Sequence, residues 1–288
     1  MWELSIRGVD FYHLINWFFI YSFLGWLWET CFVSLKNGKY VNRGFINGPF
    51  CTIYGFGALA VYLILKPVSD SILCLFFGGI VVATVLEYVT AVLMESIFHT
   101  SWWDYSDNKF NFQGRICLGA SLGWGVFTLL LFKVLHPAVE KLVSFYPVYV
   151  GKIAVCIISV GYLVDFAYSA AAAFKLQERI PVIEQAVEQA RDELLLKMHE
   201  RLKSVSFAKD ATLETVKERL GDIEVLKDLE ERRAALMTEL TAEVERRKKA
   251  TAAKLGRNIS RFVNSYPNLN RGYKLRKHRK EKDTKKNA

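Results

Sequence analysis

Three glutamates placed in or beside long apolar stretches are the residues of this chain best suited to chemistry: Glu29, Glu87 and Glu95. A charged side chain inside an apolar membrane helix costs at least about 2.5 kcal/mol, so it faces a protein interior or a wet cavity and has a partner. Arg43 and Arg115 follow in the polar segments. We expect a polar site with the glutamates as its acidic side and the arginines as its basic side.

Three more polar residues belong to the predicted binding site: Asn47, Asp104 and Gln113. All three lie in segments that connect apolar stretches, and the glycine-rich backbone around Asn47 can offer amide groups to an anion. His99 and Asp107 lie near Asp104, but the spacing of these three side chains matches no strong divalent-ion motif. We therefore assign neither a metal nor a cofactor.

A structural role is the alternative for these acidic residues. Glu29 and Glu95 would then be helix ends at the membrane interface, paired with a lysine or arginine of the next loop to fix the packing. Glu87 fits this alternative less well because it lies deeper in its apolar stretch, roughly 12 Å from Glu95 at 1.5 Å per residue. Asp165 is a further ionisable residue inside an apolar helix.

The segments around Glu29 and Glu95 resemble each other at a fixed offset of 66 positions. An ungapped comparison of the chain with itself pairs Asn42 with Asn108, and it also pairs Gly48 with Gly114 and Cys51 with Cys117. Hydrophobicity alone does not produce matches at polar and glycine positions. We interpret the pattern as an internal duplication of a unit about 60 residues long.

Composition divides the chain into three regions. Residues 1–174 carry ten Lys or Arg and ten Asp or Glu, and they form the predicted membrane domain. Residues 175–255 carry seventeen of each sign, whereas residues 256–288 carry eleven basic and two acidic side chains, which accounts for the formal net charge of +9. The five cysteines all lie in or beside apolar segments, which favours packed, reduced thiols.

Five segments are apolar enough to cross a bilayer as helices, which takes about 20 residues each. They lie near residues 11–33, 50–66, 71–97, 117–136 and 148–174. We therefore predict an all-α, polytopic membrane protein. Its first four helices form two repeat units, about 11–66 and 77–132, and the helix at 148–174 is extra.

The basic residues of the short loops do not decide the orientation, because both sides carry similar numbers. A long charged tail favours a cytoplasmic C-terminus, which with five crossings puts the N-terminus outside the cell membrane. Each repeat unit contains two crossings, so the two units are parallel in the membrane.

The tail is expected to be helical and then disordered. Residues 175–255 show amphipathic stripes with dense mixed charge, which indicate a helical hairpin or coiled coil. Pro181 suits the first turn of a new helix there. Residues 256–288 are basic, poor in apolar residues and predicted to be disordered, and they could bind anionic lipid.

Three motifs resemble a known family of bacterial membrane proteins, called putative ABC-transporter type IV or CmpB-like. The motifs are Phe23-Leu24-Gly25-Trp26-Leu27-Trp28-Glu29, the segment Asn42 to Gly55, and Trp102-Trp103-Asp104-Tyr105-Ser106. The resemblance covers roughly residues 10–175 and implies a multi-pass, permease-like protein without an assigned substrate.

Three functional classes follow from these observations. The first is a permease-like component that handles a small polar solute or ion. The chain has no Gly-x-x-x-x-Gly-Lys-Ser/Thr loop, so an ATP-driven role would need a separate nucleotide-binding subunit. Five crossings are few for a pore, which favours a homo-oligomer. The alternatives are a membrane-embedded enzyme that uses carboxylates for acid–base or metal-assisted hydrolysis, and a non-catalytic membrane scaffold.

Overall fold

The computed structural model describes residue 2 and residues 4–98, 101–207 and 223–266. Within these ranges the regular structure is helical apart from two short antiparallel strand pairs. His99 and the basic tail beyond Tyr266 lie outside the described residues. The contacts divide the chain into two units, residues 1–177 with 261–288 and residues 178–260.

Eight helices and two irregular turns make up the described fold. The helices are α1 (Phe11–Asn37), α2 (Thr52–Leu65), α3 (Ile72–Phe98), α4 (Leu118–Leu130), α5 (His136–Phe145), α6 (Val148–Phe207), α7 (Ile223–Lys254) and α8 (Arg257–Ser265). A 3-10 turn, Lys66–Val68, extends α2, and a π-helical turn, Leu131–Leu135, joins α4 to α5. The strands are β1 (Ser5–Ile6) paired with β2 (Val9–Asp10), and β3 (Asn111–Phe112) paired with β4 (Ile116–Cys117).

Four helical stretches are long and apolar enough to cross a membrane. They are Phe11–Asn37, Ile72–Phe98, Leu118–Phe145 and Val148–Leu176. These stretches match four of the five predicted segments and make the chain a multi-pass membrane protein. The remaining predicted segment, residues 50–66, corresponds to the shorter apolar helix Thr52–Val68.

Local sequence explains where the helices of the membrane half begin and end. Asp10 caps α1 by accepting a hydrogen bond from the backbone N–H of His13 at 3.0 Å. Gly38 ends the same helix in the left-handed conformation, at φ 62°. Cys51 and Cys117, which are 66 positions apart, occupy the cap positions before α2 and α4.

Small residues let the helices of each hairpin approach closely. In the first hairpin, α1 and α2, a β-carbon on Gly55 would overlap the Ser22 hydroxyl and would lie 2.7 Å from the Phe18 carbonyl oxygen. In the second hairpin, α3 and α4, the Thr84 hydroxyl donates to Ser121 at 2.8 Å. Close packing of this kind supplies the van der Waals contact that holds helices together in lipid.

At the end of the hairpins where α1 begins, hydrogen bonds connect several elements. The Tyr146 hydroxyl, in the turn between α5 and α6, donates to Asn16 Oδ1 at 2.8 Å. Tyr21 and His136 share a hydrogen bond of 2.7 Å, in which either group can donate. Arg7 donates to the Leu63 carbonyl near the end of α2 at 2.7 Å.

The second unit, residues 178–260, contains the C-terminal part of α6 and all of α7. Arg247 of α7 pairs with Glu193 of α6 at 2.8 Å, and Ile183 and Ala190 are buried along the predicted apolar stripe of α6. Helix α6 runs through Pro181, where the sequence predicts a new helix. An interior proline removes one backbone hydrogen bond and crowds the preceding turn, yet this helix continues on both sides of Pro181.

The structure also differs from the prediction at the start of the segment expected to be disordered. Residues Arg257–Ser265 form α8, and Phe262, Ser265 and Tyr266 are buried. Burial against the membrane half supplies the apolar contact that this basic sequence lacks by itself.

Candidate functional site

The first loop, residues 38–51 between α1 and α2, is held in shape by Asn42. The Asn42 Oδ1 atom accepts hydrogen bonds from Trp26 Nε1 and from the backbone N–H of Gly44, both at 2.9 Å. Its Nδ2 donates to the Asn47 carbonyl at 2.9 Å. One amide side chain therefore links the end of α1 to both halves of the loop.

Glu29 receives donors from both ends of this loop. Arg43 Nε lies 3.3 Å from Glu29 Oε2, and the Tyr54 hydroxyl of α2 donates to Oε1 at 3.2 Å. The Arg43 side chain is 17% exposed and that of Glu29 is 29% exposed. Glu29 therefore pairs with an arginine of the next loop, as the structural alternative for this residue expects.

Asp165 of α6 holds the other half of the first loop. Its Oδ2 accepts the backbone N–H of Gly48 at 2.7 Å, and its Oδ1 accepts Asn47 Nδ2 at 2.8 Å and the Asn47 backbone N–H at 3.2 Å. Ser169, one turn later, donates a longer bond of 3.4 Å. Asn47, predicted as a binding residue, thus has Asp165 as its partner.

The end of α8 contacts the same loop from the C-terminal part of the chain. The guanidinium of Arg261 donates to the carbonyls of Gly44 and Ile46 at 2.9 Å and to that of Phe45 at 2.8 Å. The Tyr266 hydroxyl donates to the Arg43 carbonyl at 2.6 Å, and the Arg43 guanidinium lies 4.6 Å from the centre of the Tyr266 ring. Sequence reasoning missed these residues, because no local pattern links them to the loop.

Glu87 lies deeper, in the middle of α3, and is 6% exposed. Its Oε1 accepts a hydrogen bond from the Tyr105 hydroxyl, and its Oε2 accepts one from Trp124 Nε1, both at 3.0 Å. No lysine or arginine among the described residues lies within 4.0 Å of this carboxylate. Two neutral donors from different elements therefore hold the buried acid.

Glu95 resembles Glu29 in its partners. Arg115 donates to Glu95 Oε2 through Nε at 3.0 Å and through the terminal nitrogen Nη2 at 2.6 Å, and the Ser101 hydroxyl donates to Oε1 at 2.7 Å. Arg115 also donates to Gln113, whose Oε1 accepts the Tyr88 hydroxyl at 3.2 Å. The predicted residues Glu95, Gln113 and Arg115 therefore form one cluster.

Aromatic rings connect the two hairpins between these acids. The Tyr54 ring, whose hydroxyl binds Glu29, lies 6.1 Å from the ring of Trp124, whose nitrogen binds Glu87. We call Glu29, Tyr54, Trp124, Glu87 and Tyr105 the inter-hairpin cluster. Sequence reasoning did not assign Tyr54, Trp124 or Tyr105 to the site, although each stands within or beside a glycine- or aromatic-rich motif.

The predicted site is thus assembled in part. Asp104 stabilises a local turn, since its Oδ1 accepts the backbone N–H of Ser106 at 2.8 Å. Within the described ranges, no three His, Cys, Asp or Glu residues gather in a way that could hold a metal ion. A separate pocket of about 240 Å³ on the second hairpin has an apolar lining of Thr84, Val85, Tyr88, Phe112 and Ile116.

Burial and charge shift the acid–base properties of the loop residues. Burial, together with the neighbouring Glu87, raises the pKa of the Tyr105 hydroxyl, so this group remains a hydrogen-bond donor. Hydrogen bonding to Glu95 raises the pKa of Arg115. Burial lowers the pKa of Arg261 and raises that of Tyr266.

Comparison with known proteins identifies a family for the membrane part of the chain. No curated protein and no solved structure matches the chain at a significant level. The model of the family described as Putative ABC-transporter type IV matches residues 16–170, which include the first loop, all three glutamates and both hairpins except the first five residues of α1. Because this match covers more than half of the chain, the protein belongs to the Putative ABC-transporter type IV family.

Proposed function

We propose that this protein is a permease-like membrane component that handles a small polar solute or ion at the inter-hairpin cluster. The observation that carries the proposal is the buried carboxylate of Glu87, which has only neutral hydrogen-bond donors within the described residues. A carboxylate in an apolar helix is costly unless it has a function or a partner. Its position favours a cation or a solute rich in hydrogen-bond donors.

The cluster is suited to this role because it involves both hairpins. Tyr54 of α2 and Trp124 of α4 contact each other, and their polar atoms point to different acids. A small shift of one hairpin against the other would therefore change the donors around Glu29 and Glu87 together. Transporters commonly bind their substrates at the interface of such repeated units.

We further propose five crossings, with the short α2 as the second. The support comes from the ring of Phe45 in the first loop, which lies 5.3 Å from that of Trp102 in the second loop, residues 101–117 between α3 and α4. The two loops therefore share one side of the membrane. Helix α3 is long enough to cross the membrane and ends at the second loop, so it starts on the other side. Helix α2 connects the first loop to the start of α3 and therefore has to cross in the opposite direction.

The proposed duplication has independent geometric support. The close approach in the first hairpin joins Phe18 and Gly55, and that in the second joins Thr84 and Ser121. Both members of the second pair lie 66 positions after those of the first. The two hairpins are thus proposed to be parallel copies of one unit.

Orientation and partners follow as further proposals. The first loop contacts Arg261 of α8, so the loop and this end of α8 lie on the same side of the membrane. A cytoplasmic C-terminus then places the N-terminus outside. We propose anionic lipid as the partner of the basic tail, self-association of the membrane domain, and a separate nucleotide-binding subunit if transport is driven by ATP.

Flux through reconstituted protein tests the function. Currents or tracer uptake in proteoliposomes would be compared for wild type, Glu87→Gln and Asp70→Asn across a panel of alkali cations, ammonium, guanidinium and small polyols. Asp70 is an exposed carboxyl in the turn before α3 and serves as the control. The proposal expects a solute whose flux falls at least about tenfold in Glu87→Gln and persists in Asp70→Asn. Equal fluxes in all three folded proteins would contradict it.

A further inference from the structure

Three successive backbone carbonyls of the first loop converge on one guanidinium group. Those of Gly44, Phe45 and Ile46 accept hydrogen bonds from the two terminal nitrogens of Arg261 over 2.8–2.9 Å. We call these three carbonyls the carbonyl cradle. A planar guanidinium offers five N–H donors in a fixed fork, whereas an ammonium offers three from a single point. The cradle is therefore shaped for guanidinium.

The charge of Arg261 is held by backbone dipoles. The nearby Asp165 carboxylate is directed to the backbone of Asn47 and Gly48, and its attraction reaches Arg261 only at longer range. A buried cation is costly unless its hydrogen bonds are made. Neutral carbonyls accept three bonds from the two terminal nitrogens, whereas the buried Arg261 Nε has no hydrogen-bond partner among the described residues. Because the cradle binds only the terminal nitrogens, it does not require that its ligand belong to an arginine of this chain.

Aromatic rings form the surroundings of the bound group. The Arg261 guanidinium carbon lies 4.5 Å from the centre of the Phe262 ring, which lies 5.8 Å from Phe45 and 5.3 Å from Trp102. Ring faces attract cations, and the attraction is stronger where water is excluded. These rings come from both loops and from α8, so occupation of the cradle by Arg261 brings all three together.

The contact also reaches the candidate site through Arg43. Besides Glu29, the Arg43 guanidinium contacts the Ser265 carbonyl and the Tyr266 ring. Tyr266 and Ser265 in turn donate to the carbonyls of Arg43 and Asn42, both at 2.6 Å. Removal of the end of α8 would leave Glu29 as the remaining described partner of the Arg43 side chain.

We propose that the carbonyl cradle is a guanidinium-binding site that Arg261 occupies as a tethered ligand. Its ligand class is the guanidinium cation and simple alkylguanidines. When α8 leaves, the cradle becomes available to a free ligand of this class, and Arg43 is released to the inter-hairpin cluster. The site is distinct from Glu87 and does not depend on transport.

Chemical rescue of the full-length protein in detergent tests this proposal. In Arg261→Ala the cradle loses its ligand, and we expect amide hydrogen exchange in residues 42–50 to become at least about tenfold faster, because bonds from a charged donor are lost. Guanidinium or methylguanidinium at roughly 1–50 mM should restore slow exchange with a saturable dependence, as expected of a weak site. Urea has a similar shape and no charge, and it should not restore it.

Two variants serve as controls. Arg257→Ala removes an exposed arginine from the first turn of the same helix and should leave exchange in residues 42–50 unchanged. Arg261→Lys retains the charge but cannot reach three carbonyls at once, so its exchange should be intermediate. If Arg261→Ala does not fold, Arg261→Lys replaces it in the rescue experiment, and added guanidinium should slow amide exchange in this lysine variant.

The proposal is overturned if exchange in residues 42–50 is unchanged in Arg261→Ala. It is also overturned if added guanidinium gives no saturable protection in either Arg261 variant, or if urea protects equally well. Since exchange reports the loop alone, these outcomes are separate from the flux measurement at Glu87.

Discussion

The hydroxyl of Thr84 donates to that of Ser121 across 2.8 Å, at the place in the second hairpin that corresponds to the approach of Phe18 and Gly55 in the first. A hydroxyl pair spaces the helices in one hairpin, whereas a bare glycine lets them touch in the other. The first hairpin should therefore tolerate less added volume at this position.

Gly55→Ala should destabilise the membrane domain by about 2 kcal/mol, because the new methyl group overlaps Ser22 and the backbone of Phe18. Gly57→Ala is the matched control in the same helix, since a β-carbon there meets nothing within 4 Å. It should be neutral, or stabilising by up to about 1 kcal/mol through helix propensity. Thermal unfolding in detergent measures both. Equal effects of the two changes would contradict the close approach.

Glu95 and Arg115 should be energetically coupled. The pair is mostly buried and makes two charge-assisted hydrogen bonds, so a double-mutant cycle with Glu95→Gln and Arg115→Gln should give a coupling of about 1–2 kcal/mol. Chemical unfolding of the four proteins supplies the values. The pair Arg246 and Glu243, which lies on an exposed helix, is the control and should show weaker coupling. A coupling energy of zero between Glu95 and Arg115 would show that the pair is not formed.

Asp165→Asn should loosen the first loop. The amide group would present a donor to one of the two backbone N–H groups that Asp165 now accepts, at a cost of about 1–3 kcal/mol. Hydrogen exchange at Asn47 and Gly48 should accelerate. Ser169→Ala removes only the longer 3.4 Å bonds and should change exchange less. A larger effect of Ser169→Ala would show that Ser169, and not Asp165, holds the first loop.

Tyr266→Phe should alter stability at alkaline pH. Burial raises the pKa of Tyr266 in the folded protein, so the folded chain keeps a proton that the unfolded chain loses near pH 10. Ionisation therefore favours unfolding, and this tyrosine lowers stability as pH rises above about 10. The variant should be less stable at pH 8, because it loses the bond to the Arg43 carbonyl, but its stability should fall less steeply above pH 10. Unfolding at several pH values checks this, with the exposed Tyr40→Phe as control. Identical slopes for Tyr266→Phe and wild type would contradict the burial of this hydroxyl.

The helices of the membrane half were accessible to sequence analysis because their signals are local. Runs of apolar residues predict α1, α3 and the start of α6 within a few positions. The predicted segments 50–66 and 117–136 include Cys51 and Cys117, whereas in the structure both cysteines stand directly before their helices. The family motifs likewise lie in continuous strings, and the family match confirms the resemblance.

The partners of the acidic residues were harder to predict. The sequence predicts Arg115 as a basic residue of the site, but the offset pairs Arg43 with Lys109 and so does not single out Arg115 as the partner of Glu95. Arg115 binds Glu95 because strands β3 and β4 fold the second loop back on itself. Tyr105 and Trp124 approach Glu87 from elements 18 and 37 residues away. Spacing along one helix does not reveal such donors.

The contacts of α8 could not be predicted from any periodicity. Arg261 is separated from its carbonyl partners by 215 to 217 residues, and its neighbours are basic and polar, so composition indicated disorder. A segment whose composition predicts disorder can still fold when it packs against a large aromatic surface. Phe45 and Trp102 provide that surface in the first unit, and Phe262 of α8 packs against both rings.

The long separation between Arg261 and the first loop also sets an order of events during biosynthesis. A ribosome that adds about 5–20 residues per second needs roughly 10–40 s to reach Arg261 after it has made Ile46. Throughout that interval the three loop carbonyls lack the guanidinium group that they bind in the complete chain. The loop can thus make these contacts only after α8 has been translated. A chain that ends earlier would expose the unbound loop to quality-control proteases.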